Sequence, residues 1–195
     1  MRSGRRRRER DVITDMFLES SASLVAGAIF TALLAAVARS DIAARRIPNA
    51  LVLALIVTGA FVAISVLRHD VGLSRAAAGF ALGLALWAPL WLIRMLGAGD
   101  VKLAAAIGTW LGPAGVLEAS VLAAIAGGGL ALLVLARRRR VAAVASGVAL
   151  WTAALQRGQL TKPLVNDKSE VLPYGVALAV GGALSGWLPA DWIVL

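Results

Sequence analysis

The 195-residue sequence predicts an all-α, polytopic membrane protein with about six transmembrane helices. Three observations carry that expectation. Hydrophobic residues make up 59% of the chain and its mean hydropathy is +0.81, against roughly 45–50% apolar usage in soluble domains. A chain this short cannot hide so much apolar surface inside itself, so the excess must face lipid. Finally, the apolar residues fall in long uncharged runs and the charges fall between them.

The elements follow in chain order. Residues 1–20 read as a charged tail or surface segment, with Arg2, Arg5, Arg6, Arg7, Arg8 and Arg10 at its start, and residues 21–195 as a membrane-embedded domain. Asp11, Asp15 and Glu19 separate the arginines from the first apolar run, unlike the order in a cleaved signal peptide. Spans are expected at Ser21–Ala38, Ile47–Leu67 and Ala76–Ile93, each long enough to cross a ~30 Å hydrocarbon core at about 1.5 Å per residue. Leu111-Gly112-Pro113 divides the next region into a short fourth span, Val101–Leu111, and a fifth, Ala114–Ala136. The fourth reaches only ~17 Å as a helix and must borrow length from its flanks or be re-entrant. Residues 141–155, bracketed by Arg137–Arg140 and Arg157, suit a helix lying in the interface better than a span. Gln156–Glu170 is a polar loop, and Val171–Leu188 is the last span. The tryptophans fall mostly near span ends, where interfacial anchors belong.

Basic residues near the span ends set the orientation. With the end of the first span inside, Arg39, Arg45, Arg46, Arg94, Lys102, Arg137–Arg140, Arg157, Lys162 and Lys168 all face the cytoplasm. The amino-terminal arginines oppose this arrangement, since an even number of spans puts both ends outside.

Composition removes several functions. The net charge of +9 is spread over span flanks, with no basic face interleaved with aromatics, so nucleic acid is not an expected partner. The arginine runs serve as topology signals and contacts to membrane lipid. There is no cysteine and one histidine, His69, which leaves no thiolate nucleophile, no disulfide and no multi-histidine metal site. No metal and no cofactor are expected, so any chemistry must rest on carboxylates, hydroxyls or lysine.

Ionisable groups at or within a bilayer are costly and are functional candidates by default. Between residues 21 and 136 the carboxylates are Asp41, Asp70, Asp100 and Glu118. Asp70 belongs to the polar string Arg68-His69-Asp70, and Glu118 can snorkel or pair near the outer surface. Asp41 and Asp100 both lie at span ends on the cytoplasmic side, so they can meet at one depth. Two close carboxylates share a proton: the ionised one can draw a proton from an attacking water, and the other can donate to a peptide carbonyl. Each also has a structural reading. Asp41 can cap a helix or pair with Arg45, and Asp100 can cap a helix after a glycine turn. Which member would act as base is not readable.

The local strings sharpen the choice. Gly97-Ala98-Gly99-Asp100-Val101-Lys102 resembles the GxGD signature of the type IV prepilin peptidases, with that family's basic residue two places on. Asp41, followed by Ile47-Pro48-Asn49, resembles the family's first-aspartate motif, and Leu172-Pro173-Tyr174-Gly175 its proline-aromatic-glycine step into the last span. The resemblance implies Asp41 and Asp100 as the catalytic pair and Gly97 and Gly99 as shapers of the active-site loop. Lys102, Pro48 and Asn49 carry over as motif members without assigned roles. It further implies a bacterial inner-membrane endopeptidase that removes the leader of prepilins or pseudopilins at the cytoplasmic face, with pilus assembly machinery as a further partner.

Longer members add a domain with paired CxxC motifs and N-methylate the trimmed product. This cysteine-free chain resembles the peptidase-only form of Flp or tight-adherence pili, so no methyltransferase activity is expected. The substrate's apolar helix is expected to pack among the spans, with Gly79 and Gly83 allowing its approach. The rival reading is a small transporter or assembly scaffold whose aspartates move protons or fix helix packing. It would place carboxylates at staggered depths rather than together at one end.

Overall fold

The computed structural model describes residues 2–66, 69–93, 95–137, 153 and 174–187, and every described element is helical. The elements are α1 (Arg2–Ala44), α2 (Asn49–Val66), α3 (His69–Leu92), α4 (Ala98–Arg137) and α5 (Tyr174–Trp187). Residues 2–20 continue α1 without a break, and its apolar part is Ser23–Ala44. Asp70, in the polar string between the second and third expected spans, lies in the first turn of α3. The interfacial helix at 141–155, the loop at 156–170 and Pro173 lie outside the described residues, apart from residue 153.

The molecule is an all-α membrane protein. Among the described residues Ser23–Ala44, Gly72–Leu92 and Ala98–Leu130 are long and apolar enough to cross a membrane, while Asn49–Ser65 and Tyr174–Trp187 are apolar but shorter. The expected count of about six is not met by this measure, because the fourth and fifth segments are joined in α4 and two helices are short. Leu53, Val57 and Phe61 on α2, and Leu117, Val121 and Ile125 on α4, stand exposed at helical spacing. Such stripes suit acyl chains, which pack against apolar side chains at no cost.

The expected break at Leu111-Gly112-Pro113 is where α4 departs from helical geometry, with Gly112 at φ 73° and ψ −173°. The contacts along α5 give the direction of each arm. Cβ atoms added at Gly182 and Gly186 would meet Ile107 and Leu111 of the first arm, so the two segments advance together. In the second arm Gly181 faces Ala119 and Ala123, and Ser185 Oγ donates to the Gly115 carbonyl at 3.1 Å. Farther back, Gly127 faces Tyr174. The second arm therefore runs against α5, and the chain turns back at Gly112.

With α4 folded this way, α5 sits between its two arms and against α1. Leu34 of α1, Leu55 of α2, Leu103 and Ile107 of α4 and Leu178 of α5 are almost fully buried at the centre. α3 crosses the first arm of α4 backbone to backbone. A Cβ at Gly79 would strike the Gly108 carbonyl, and one at Gly83 would lie 2.6 Å from the Ala104 carbonyl. These two glycines thus serve packing within the chain, which corrects their expected role in admitting a substrate helix.

Two tryptophans also depart from expectation. Trp87 is buried and donates from Nε1 to Ser120 Oγ at 3.0 Å; Trp110 donates to the Leu55 carbonyl at 2.7 Å. A buried indole N–H needs an acceptor, and both find one inside the bundle rather than at an interface. Glu118 is half-buried and accepts from Ser185 Oγ at 3.2 Å, which ties the second arm of α4 to α5.

Candidate active site

Four helix ends, the end of α1 and the starts of α2, α4 and α5, meet at a single end of the bundle together with the connector from α1 to α2. α1 stops just past Asp41: Arg45 takes a left-handed conformation at φ 48°, and its N–H donates to the Asp41 carbonyl at 2.8 Å. This is the single hydrogen bond of an αL helix stop. Ser40 Oγ donates to the Arg46 carbonyl at 3.0 Å and holds the connector against α1. Pro48 then starts α2 from the position just before the helix, its carbonyl accepting from Leu51 at 3.1 Å and Val52 at 3.3 Å. Proline gives up no donor there.

Asp100 belongs to the first turn of α4. Its Oδ2 accepts from the Gly97 N–H at 3.1 Å, and its own N–H donates to the Gly97 carbonyl at 3.1 Å. The carboxyl thus closes the reciprocal half of a capping box, and the capping reading of this residue is part of what orients it. Gly99 lies against Ile47, whose Cβ would be 3.4 Å from a Cβ placed there.

Asp41 is 6% exposed although it ends its helix at the surface of the bundle. Its carboxyl rests on the first turn of α5, where a Cβ at Gly175 would stand 2.7 Å from Oδ2 and 3.0 Å from Ile47 Cδ1. The backbone amides of Gly175 and Val176 face the carboxyl, and amides of a first helical turn have no partner within their helix. Oδ2 itself is buried without a hydrogen bond of good geometry among the described residues. Tyr174 completes the wall: its ring tilts against Trp87 with centroids 5.6 Å apart and covers Gly127.

These residues enclose a cleft of about 720 Å³. Asp41, Asp100, Gly97, Gly99, Lys102, Pro48 and Asn49 all line it, so every site residue expected from the sequence is brought to one place. Asp41 and Asp100 share the cleft at close enough range for two carboxylates to influence each other, with Tyr174 lining the same cleft. Lys102 Nζ donates to Asn49 Oδ1 at 3.3 Å and joins the start of α4 to that of α2. Ser40, Arg45, Arg46, Ile47 and Tyr174 line the cleft as well. The sequence does not single out any of these five as a site residue, although Ile47 and Tyr174 stand inside the motif strings. Among the described residues no three His, Asp or Glu side chains gather as a metal would need.

The fold and the cleft define a class: an all-α membrane protein that pairs two carboxylates from different helices at one end of its bundle. Comparison with known proteins narrows this. The sequence model of the Type IV leader peptidase family matches residues 28–132, a stretch that holds both aspartates, and the chain belongs to that family. It is 33% identical over 175 residues to the "Prepilin leader peptidase/N-methyltransferase" of Burkholderia pseudomallei strain 1026b, and equally to that of strain K96243. Each alignment covers 86% of this chain and 47% of the relative, so the chain spans about half the length of the curated relatives it matches. No solved structure matches it.

Proposed function

We propose that this chain is an aspartic endopeptidase of the bacterial inner membrane that removes the leader peptide of type IV prepilins, of the Flp type or pseudopilins, at the cytoplasmic face. The observation that carries the reading is the meeting of Asp41 and Asp100 in one cleft at one end of an apolar bundle. A transporter would want carboxylates staggered through its depth.

Two interacting carboxylates can share one proton, since close like charges disfavour ionising both. The ionised member takes a proton from water as the water oxygen attacks the scissile carbonyl carbon. The protonated member donates to the carbonyl oxygen, and proton return to the amide nitrogen lets the C–N bond break. The glycines beside Asp100 leave bare backbone along which an extended peptide can lie. The basic flanks at the cleft end, Arg45, Arg46 and Lys102 among them, support its cytoplasmic placement. Counting both arms of α4 and the two short helices, the chain crosses the membrane six times. Lacking the cysteines of the methylating members, it acts as a peptidase without N-methyltransferase activity.

The test is co-expression with a prepilin encoded nearby, read by intact-mass spectrometry. The wild type is expected to shorten the prepilin by the mass of its leader. Asp41→Asn and Asp100→Asn are each expected to reach the membrane and lose about 1,000-fold or more in rate, as removal of a reacting group does. Cleavage that survives both substitutions sinks the reading.

A further inference from the structure

A carboxyl works only from a defined position, and no hydrogen bond fixes Asp41 Oδ2 among the described residues. The amides of Gly175 and Val176 face the carboxyl as a whole, and contact adds to what holds Oδ2. The first turn of α5 offers bare backbone at Gly175, and a Cβ there would come within 2.7 Å of Oδ2, 3.0 Å of Asp41 Cγ and 3.0 Å of Ile47 Cδ1. The carboxyl and the Ile47 methyl thus share the space that a side chain would take. Ile47 also lies on Gly99, beside Asp100, with its Cδ1 3.6 Å from where a Cβ would be. One side chain therefore spans the two glycines that neighbour the two aspartates.

We propose that Gly175 is a positioning residue: its bare backbone is the seat of the Asp41 carboxyl, and Ile47 closes the seat from the other side. This rests on the reading of Asp41 as one of the reacting pair and adds a residue from a third helix that sets its geometry. All three atoms that crowd the seat belong to the outer parts of two side chains, Asp41 and Ile47, so a methyl at 175 is accommodated by rotation of the carboxyl rather than by separation of α5. The fold survives and the alignment does not. A displacement of about 1 Å at a reacting group can cost ~100-fold in rate.

Gly182 supplies the control. It lies on the same helix, and a Cβ there would be tightly packed, though less so than at Gly175, 3.1 Å from Ile107 Cδ1 and 3.3 Å from Leu34 Cδ1, with no carboxyl among its near neighbours. The full chain, purified in detergent, is assayed on a prepilin. Gly175→Ala is expected to lower kcat about 100-fold with KM within about threefold, while Gly182→Ala keeps kcat within about threefold. Adding Ile47→Ala to Gly175→Ala reopens the seat and is expected to restore about tenfold, although truncating an apolar residue ordinarily only weakens a protein. Carbodiimide labelling with glycinamide, mapped by peptide mass spectrometry, reads the seat without using activity. Asp41 is expected to react slowly in the wild type and several-fold faster in Gly175→Ala.

Unchanged kcat with unchanged labelling in Gly175→Ala overturns the proposal. So does an equal loss in Gly182→Ala, or a double variant with no recovery, since either assigns the effect to ordinary packing. If the wild type cleaves no prepilin, the peptidase reading fails by itself, and the labelling still decides whether the seat exists.

Discussion

At Gly79 and Gly83 an added Cβ would run into carbonyls of the facing helix; at Gly97 and Gly175 it would meet a carboxylate oxygen, at 3.3 Å and 2.7 Å. Both pairs are crowded, yet by different things. In the middle of the bundle backbone lies on backbone, and neither partner can yield without the helices parting. At the cleft the partners are side-chain ends that can turn aside. The same residue type therefore serves cohesion in one region and alignment in the other, and substitution should expose the difference.

The largest effect is expected at the crossing of α3 and α4. Gly79→Leu forces the backbones apart and is expected to leave little folded protein, overpacking of close contacts costing about 1–3 kcal/mol and occasionally more. Size-exclusion chromatography in detergent checks this, and a monodisperse variant with a wild-type thermal transition would erase the contrast between the two regions. Next comes the turn. Gly112→Ala places a Cβ where φ is 73° and ψ −173° and where Arg75 Nε stands 2.6 Å away; that backbone conformation, which essentially only glycine adopts, alone costs roughly 1–3 kcal/mol. Denaturant titration in mixed micelles reads that loss, and an unchanged midpoint would mean the turn does not need glycine. A smaller loss is expected for Trp110→Phe, which removes the indole's hydrogen bond to the Leu55 carbonyl, about 0.5–1.5 kcal/mol, while Thr58 Oγ1 still donates to that carbonyl at 3.3 Å. The smallest is Lys102→Met, which breaks an exposed bond to Asn49 and is expected to cost less than about 1 kcal/mol. If Lys102→Met lowers kcat far more than it lowers stability, the cleft end uses this lysine for more than tethering α2.

Some of this architecture was open to reading from the sequence because its signals are local. Two glycines before Asp100, a proline ahead of a charge-free run and a glycine-proline break each constrain the chain where they stand. All three features lie where expected, the break as a bend inside α4. What could not be read depends on which surfaces meet. Nothing in the string Pro173-Tyr174-Gly175 says that its glycine lies under an aspartate far earlier in the chain. Likewise, Gly79 and Gly83 look the same whether a substrate or the first arm of α4 covers them. The two inward tryptophans were misjudged for the same reason: proximity to a span end is visible in sequence, and an acceptor waiting on a neighbouring helix is not.

The place of α5 has a consequence for biogenesis. Both aspartates leave the ribosome and can enter the bilayer well before Tyr174 is made, yet the backbone on which Asp41 rests belongs to that last described helix. Until α5 slots between the arms of α4 and against α1, the growing chain carries both acids without a formed site. The cleft is therefore completed only once α5 has inserted, and its assembly is tied to the last described helix rather than to the segments that carry the acids.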